Sequence, residues 1–149
     1  MSKYVHPIFE QHWQFTEQTL DWKTAIELVG KPLIDSKYIE QRYITSIIDN
    51  VNQIGAYFII ADGFALPHSR SENGVLSMET KFSLLKCKNP VTFPEGESVS
   101  LLIMLAAGDN DRHLEAITDL ITWLEEENRL DNLVNIKTES EFEQLLFSE

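Results

Sequence analysis

The stretch Tyr57–Arg70 reads YFIIADGFALPHSR and decides the predicted fold of this chain. Its first four residues are apolar, as in a short buried strand, and the Asp62-Gly63 dipeptide after them favours a tight hairpin turn. A second apolar run, Phe64–Leu66, stops at Pro67, whose ring favours extended geometry before it and removes a backbone donor. We therefore predict two short strands joined by a tight turn, with His68 held at the rigid end of the second. An imidazole restricted in this way is suited to act as a nucleophile or general base.

The chain before this stretch carries the local signals of one strand and two helices. We predict a short strand at Trp13–Thr16, within an otherwise irregular N-terminal segment. A helix follows the capping residue Asp21 and is expected to weaken or kink near Pro32, and a second helix is expected to be capped by Ser36. The apolar residues of the second helix recur at helical spacing, so one face is buried, and Gly55 is the residue type that ends helices.

The chain after this stretch alternates strand and helix signals. Val75–Leu85 has the pattern of one strand or two, and a turn is predicted at Asn89-Pro90. Val99–Ala107 is nearly all apolar, which is typical of a short central strand covered on both faces. A helix with one apolar stripe starts at Arg112, and the Thr138-x-x-Glu141 pattern predicts a capping box at the start of a last helix. This interleaving indicates an α/β protein with a small mixed sheet and helices on its faces.

Length and composition indicate a single soluble domain over residues 1–149. The formal net charge is −12, from 12 basic and 24 acidic residues, and no stripe of Lys and Arg is present, which argues against nucleic acid as a partner. The longest apolar run, Leu101–Ala107, is far shorter than the roughly 20 residues that span a bilayer, so we expect no direct membrane insertion. Cys87 is the single cysteine, which favours a reduced, cytoplasmic setting without disulfides.

Four histidines are the first candidates for chemistry. His6 and His12 lie in the irregular N-terminal segment, and we predict both to be surface residues. His68 follows one predicted strand, and His113 follows another in the first turn of a helix. Ligands of α/β proteins bind beyond the ends of the strands, so both histidines lie where sites form. A lone histidine is more often structural than catalytic, and the case for His68 is the stronger because Pro67 holds it.

Several kinds of site lack a supporting pattern. The sequence has no G-x-S-x-G elbow, no G-x-x-x-x-G-K-[ST] and no G-x-G-x-x-G, so it gives no support for serine hydrolysis or nucleotide binding. A metal site made by His68 and His113 with Asp109 or Asp111 stays an alternative, although no His-x-x-x-His or cysteine-rich spacing favours it. A metal-dependent hydrolase is thus one open alternative, and an interaction domain without chemistry is another.

Gly63–His68 resembles the G-x-A-[LIM]-P-H signature of the mannitol/fructose class of enzyme IIA proteins, the phosphocarriers of the bacterial phosphoenolpyruvate-dependent sugar phosphotransferase system. The resemblance extends in order from about Trp22 to the end of the chain. Within the class, the sequence is most similar to the ascorbate-type branch, whose pattern is GPYF-x-IAPG-x-A-[ML]-PH-x-R. It departs from this pattern at Ala56 and Asp62, where the branch usually has prolines. The mannitol and fructose branches also have an arginine late in the preceding helix, where this chain reads Asn50–Gln53.

The resemblance implies a cytoplasmic phosphotransferase component of that fold, without a cofactor or metal. By position, His68 takes the phosphoryl group and His113 is the second active-site histidine. Arg70 matches a basic residue often found two places after the nucleophile, and backbone amides around Ser69 would add donors to the phosphate. The implied donor is the phosphohistidine of the small carrier HPr, the acceptor is a cysteine of enzyme IIB, and the enzyme IIC permease is involved indirectly in the uptake of an ascorbate-type sugar. A regulatory protein, in which phosphorylated His68 gates another protein, is the alternative within this resemblance.

Overall fold

A five-stranded mixed sheet organises the molecule. The computed structural model describes residues 12–147, without the side chains of Asn110, Leu146 and Phe147. The strands are β1 (Trp13–Thr16), β2 (Ile59–Ala61), β3 (Gly63–Ala65), β4 (Lys81–Thr92) and β5 (Ser98–Ala106). They lie in the order β1-β4-β5-β3-β2; the β1–β4 and β3–β5 pairs are parallel, whereas the β2–β3 and β4–β5 pairs are antiparallel. The predicted α/β fold with a small mixed sheet is confirmed, as is the short N-terminal strand.

Helices cover both faces of the sheet. Successive strand residues point to opposite faces, so Leu102 and Met104 of β5 enter one core while Leu101 and Ile103 enter the other. β5 is buried along all but its first residue, as predicted for a central strand. Within residues 12–147 no helix combines the length and apolar character needed to cross a membrane. The first core lies under α1 (Trp22–Asp35) and α2 (Gln41–Ile54), and the second lies under α3 (Asn110–Glu125), α4 (Arg129–Asn135) and α5 (Glu139–Phe147).

The caps of the first and last helices follow the sequence signals. The Oδ1 atom of Asp21 accepts the N–H of Thr24 at 2.8 Å, which caps α1. The hydroxyl of Thr138 accepts the N–H of Glu141 at 3.2 Å, which gives the predicted cap before α5. α1 continues through Pro32 to its end as one helix.

The predicted cap of α2 is wrong. α2 begins at Gln41, and Ser36 instead caps the C-terminal end of α1. Lys37 has a φ of 63°, which turns the chain out of the helix, and Ile39 then forms an antiparallel bridge with Val75. The serine is a local signal, whereas the start of α2 is set by a pairing with a distant segment of the chain.

The predicted bounds of β4 are also wrong. The strand does not begin at Val75, and it runs through Asn89-Pro90, where a turn was predicted. Proline lacks a backbone donor, so it is tolerated in strands at edges or at irregularities. Both conditions hold here, because β1 pairs with β4 only as far as Cys87 and the register against β5 shifts between Lys86 and Val91.

The β2–β3 hairpin places the next segment at one edge of the sheet. Its turn falls at Asp62-Gly63 as predicted, and Gly63 has a φ of 77°, which favours glycine. Added side-chain volume at Gly63 would lie 2.8 Å from Val134. β2 begins at Ile59, later than the predicted start at Tyr57. Because β3 runs parallel to β5, the two strands end at the same edge, and the chain beyond β3 meets the chain beyond β5 there.

Candidate active site

The two histidines singled out in the sequence lie side by side at this edge. His68 follows β3, and His113 lies in the first turn of α3, directly after β5. Their ring centroids are 4.9 Å apart and the ring planes are inclined by 54°. His12 lies apart from them, immediately before β1, and it is partly exposed with its ring near Tyr38. His6 lies outside the described residues.

The tautomer of His68 is fixed by its own loop. Its Nδ1 atom lies 2.7 Å from the main-chain oxygen of Leu66. A carbonyl oxygen can only accept, so Nδ1 carries the hydrogen and Nε2 keeps a free lone pair. Burial lowers the pKa of His68, and the bond to the Leu66 carbonyl opposes that effect. His68 is therefore a neutral imidazole near pH 7 with one defined nucleophilic nitrogen.

Main-chain hydrogen bonds hold the loop that carries His68. β3 ends at Ala65, as predicted from the proline. The N–H of Leu66 donates to the Phe58 carbonyl at 2.8 Å, and the Pro67 carbonyl accepts the N–H of Leu105 in β5 at 3.1 Å. Immediately before the histidine, the loop is thus tied to β5 and to the residue that precedes β2.

Tyrosine hydroxyls hold the peptide unit that follows His68. The Tyr57 hydroxyl donates to the His68 carbonyl. The N–H of the same peptide unit, that of Ser69, donates to the Tyr43 hydroxyl at 3.0 Å, and that hydroxyl donates to the Leu105 carbonyl at 2.6 Å. Burial raises the pKa of Tyr43, so it stays protonated and keeps its donor. Both polar groups of one peptide unit are therefore fixed by side chains from different parts of the fold.

Ser69 is enclosed by further polar contacts. Its hydroxyl lies 2.8 Å from the Ser46 hydroxyl and accepts from the Asn73 amide at 2.9 Å. Ser46 is one of three polar residues, with Tyr43 and Asn50, that recur at helical spacing on the face of α2 toward the loop. Because its N–H and its hydroxyl are both engaged inside the protein, Ser69 holds the shape of the loop.

A cleft of about 390 Å³ opens beside the two histidines. Arg70 stands at this cleft with 81% of its side chain exposed, and its Nη1 is 3.7 Å from a carboxylate oxygen of Glu72. An exposed ion pair of this kind contributes little, so the guanidinium is free to turn toward an anion in the cleft. The lining residues are Asn50, Tyr57, His68, Ser69, Arg70, Asn73 and His113.

His113 is held by the start of α3. Its main-chain N–H donates to the Asp109 carbonyl at 3.0 Å. Burial lowers the pKa of His113, and the neighbouring His68 lowers it further. Two neutral rings therefore face the cleft near pH 7, next to the N-terminal end of a helix, where negative charge is favoured.

The carboxylate of Asp109, a candidate third ligand in the alternative of a metal site, is already engaged with Arg112. Oδ1 of Asp109 accepts the N–H of Arg112 at 2.8 Å, and its other carboxylate oxygen lies 3.4 Å from Nε of the same arginine. In the part of the chain that the structure describes, no three His, Cys, Asp or Glu side chains are grouped so that they could hold a metal ion.

The roles of the tyrosines around His68 are not predicted by any local sequence pattern. Tyr43 belongs to the buried stripe of α2, and its one usable signal is that a buried tyrosine hydroxyl usually finds a partner. Tyr57 was assigned to a strand, and nothing local shows that its hydroxyl reaches the carbonyl of a residue beyond the hairpin.

Comparison with known proteins identifies the family. Residues 7–149 match the family described as phosphoenolpyruvate-dependent sugar phosphotransferase system, EIIA 2. The chain therefore belongs to this family of phosphotransferase components, which accept and transfer phosphoryl groups. This confirms the resemblance to enzyme IIA proteins that Gly63–His68 indicated.

Three relatives show how far the similarity in sequence and fold extends. The ascorbate-specific EIIA component of Escherichia coli K12 is 37% identical over 123 residues, covering 80% of this chain and 79% of the relative. The solution structure of the mannitol-specific cryptic enzyme IIA of Escherichia coli has a TM-score of 0.79 and 36% identity, over 89% of this chain and 90% of that one. The Escherichia coli mannitol enzyme IIA, solved in complex with phosphorylated enzyme IIB, has a TM-score of 0.70 at 23% identity, over 91% of this chain and 94% of that one, and shares the fold.

Proposed function

We propose that this chain is a phosphocarrier in which Nε2 of His68 takes a phosphoryl group from the phosphohistidine of HPr and passes it to a cysteine of enzyme IIB. The observation that carries the proposal is the hydrogen bond between Nδ1 of His68 and the Leu66 carbonyl, in an open cleft beside His113. Family membership supplies the reaction class. The mannitol protein of the same fold was solved with phosphorylated enzyme IIB, and we carry that acceptor over to this chain as part of the proposal.

The chemistry follows from the tautomer. Because Nδ1 keeps its hydrogen on the Leu66 carbonyl, the lone pair of Nε2 attacks the phosphorus in line. The P–N bond of the donor breaks, and its electron pair returns to the donor imidazole. In the second step, the cysteine thiolate of enzyme IIB attacks the phosphorus, and the electron pair of the P–Nε2 bond returns to His68. Both steps move the group between side chains, so positioning and charge stabilisation are the main demands on the protein.

Charge stabilisation falls to the groups around the cleft. A bound phosphoryl group brings negative charge, which favours N–H donation from a neighbouring imidazole, and His113 is the ring next to His68. Arg70 turns from Glu72 toward the phosphate oxygens and supplies the positive charge. Ser69 contributes by keeping the loop in place, since its N–H is already donated to the Tyr43 hydroxyl.

We propose an ascorbate-type sugar for the transport system and the cytoplasm as the place of action. The support is the sequence pattern from Tyr57 to Arg70. Overall identity does not distinguish the sugars, because it is 37% to an ascorbate-specific component and 38% to a mannitol-specific one. Asn50 lies at the cleft, in the part of α2 where the mannitol and fructose branches have an arginine, and this also favours the ascorbate branch. The sugar itself is bound by the enzyme IIC permease.

The test is reconstitution of the phosphate relay. The protein is incubated with radiolabelled phosphoenolpyruvate, enzyme I and HPr, and we expect one acid-labile phosphate that maps to His68. His68→Gln is expected to accept none, and His12→Gln, which changes a histidine outside the cleft, is the matched control and should label like the wild type. Labelling of His68→Gln at the wild-type rate would overturn the assignment.

A second stage separates transport from regulation. Purified enzyme IIB is added to the labelled protein, and the phosphate is expected to move to the enzyme IIB cysteine. Retention of the label on His68 in the presence of the cognate enzyme IIB would favour the regulatory alternative.

A further inference from the structure

Tyr57 borders His68 through both its ring and its hydroxyl. The ring meets the imidazole edge to face, with centroids 5.5 Å apart and planes inclined by 79°. The hydroxyl donates to the main-chain carbonyl of His68. One side chain thus limits the rotation of the imidazole and also holds the backbone from which the imidazole projects.

The side chain of Asn50 in α2 lies beside Tyr57 on the wall of the cleft. Burial raises the pKa of Tyr57, and the neighbouring amide of Asn50 opposes that effect. A phenol has one hydrogen to donate and lone pairs to accept, so it can receive from Asn50 while donating to His68. The contacts form a chain from α2 through Tyr57 to the His68 carbonyl, along the wall of the cleft.

Tyr43 and Tyr57 hold the same peptide unit from its two sides. Tyr57 fixes the carbonyl of the unit between His68 and Ser69, and Tyr43 fixes its N–H. With both ends of the unit fixed, the ψ angle of His68 is fixed, and with it the direction in which the imidazole leaves the chain. In that orientation the imidazole already places Nδ1 within hydrogen-bond distance of the Leu66 carbonyl.

We propose that Tyr57 is a positioning residue for phosphoryl transfer, with Asn50 orienting its hydroxyl; this rests on the proposed function of His68. Tyr57 acts through the His68 carbonyl and ring, and keeps Nε2 aimed into the cleft. Tyr57 is only partly buried, so water can replace its hydroxyl at the carbonyl when it is removed. We therefore expect its loss to affect the orientation of His68 far more than the stability of the fold.

Tyr57→Phe is the variant that removes the hydroxyl and keeps the ring. Its rate of phosphorylation at saturating phospho-HPr is expected to fall by about tenfold, the size of one lost hydrogen bond, with little change in KM. Tyr38→Phe is the matched control, because Tyr38 contacts Lys81 and His12 through its ring, and it should keep the wild-type rate. Asn50→Ala is a second variant, and combined with Tyr57→Phe it should add little, because the two act in series.

A second measurement separates positioning from a merely structural role. The ¹⁵N chemical shifts of the His68 ring report which nitrogen carries the hydrogen, and Tyr57→Phe is expected to move them from the Nδ1–H pattern toward a mixture of tautomers. A rate and ring shifts equal to those of the wild type would overturn the proposal. If the wild-type protein accepts no phosphate, the proposed function fails, whereas the ring shifts still decide whether Tyr57 orients His68.

Discussion

Tyr43 is the residue whose removal tests most directly how the site is held. Its hydroxyl accepts the N–H of Ser69 at 3.0 Å and donates to the carbonyl of Leu105 at 2.6 Å. The side chain is fully buried within the core under α1 and α2. Tyr43→Phe keeps the ring and removes only the oxygen, so the change leaves two buried polar groups without this partner.

The structure sets the size of the effect. A buried donor or acceptor left unpaired costs about 1–3 kcal/mol. Two such groups give an expected loss of about 2–6 kcal/mol in the free energy of unfolding. For a domain of this length that corresponds to a fall of about 6–18 °C in Tm. Phosphorylation of His68 should also slow, because the peptide unit after it loses one of its two tyrosine contacts.

Urea unfolding followed by tryptophan fluorescence measures the first effect, and labelling by phospho-HPr measures the second. Tyr38→Phe serves as the control, with an expected change below about 0.5 kcal/mol, as for a surface substitution away from such contacts. A Tyr43→Phe protein as stable as this control would refute the argument that the hydroxyl secures the loop to β5.

Four further predictions concern charge. The rate of phosphorylation should fall as the pH drops below about 6.5, because acid protonates His68 and only its neutral form reacts. The pKa of His68 lies below that ordinary value, and an NMR titration of the imidazole measured alongside the rate checks this. A rate that rises in acid would contradict the prediction. The same lowered pKa means that the unfolded state binds more protons in this window, so stability should fall as the pH drops from about 6.5 through the folded-state pKa. His113→Ala should keep the fold but slow transfer by about 100-fold, as for a lost donor to developing charge, and an unchanged rate would remove His113 from the site. Lys86 is buried with a pKa lowered to about 8, and its Nζ donates to the Val134 carbonyl at 2.7 Å. Wild-type stability should therefore rise between about pH 8 and 10.5, by up to about 3 kcal/mol. Lys86→Met should lack this rise, and Ser100 should still bond to the Val134 carbonyl, at 3.1 Å in the wild type.

Elements with a complete local signal could be predicted from the sequence. The continuous apolar run of β5 indicates burial on both faces, and the Thr138-x-x-Glu141 pattern contains both partners of its cap. The proline before His68 likewise explains the end of β3 by itself. In each case the residues that decide the structure are neighbours in the chain.

Elements decided by distant residues could not be predicted. The extent of β4 depends on its register against two other strands, and an isolated Asn-Pro dipeptide does not reveal that register. The contact of Tyr57 with the His68 carbonyl depends on the hairpin that folds one toward the other. The pairing of His68 with His113 was expected from the position of both at strand ends and from the family resemblance, whereas its geometry depends on the parallel arrangement of β3 and β5.

The passage of β4 beyond β1 bears on how the protein behaves at high concentration. An exposed strand edge invites pairing with another chain, which leads to aggregation. Where β4 leaves β1 behind, the strand carries Lys88 and Pro90, and Asn89 donates through its side chain to the Glu17 carbonyl. A charge, a missing backbone donor and an occupied side-chain amide make this margin a poor template for a second sheet. This part of β4 therefore disfavours pairing with the strand of another molecule, whereas the cleft at the opposite end of the sheet stays open.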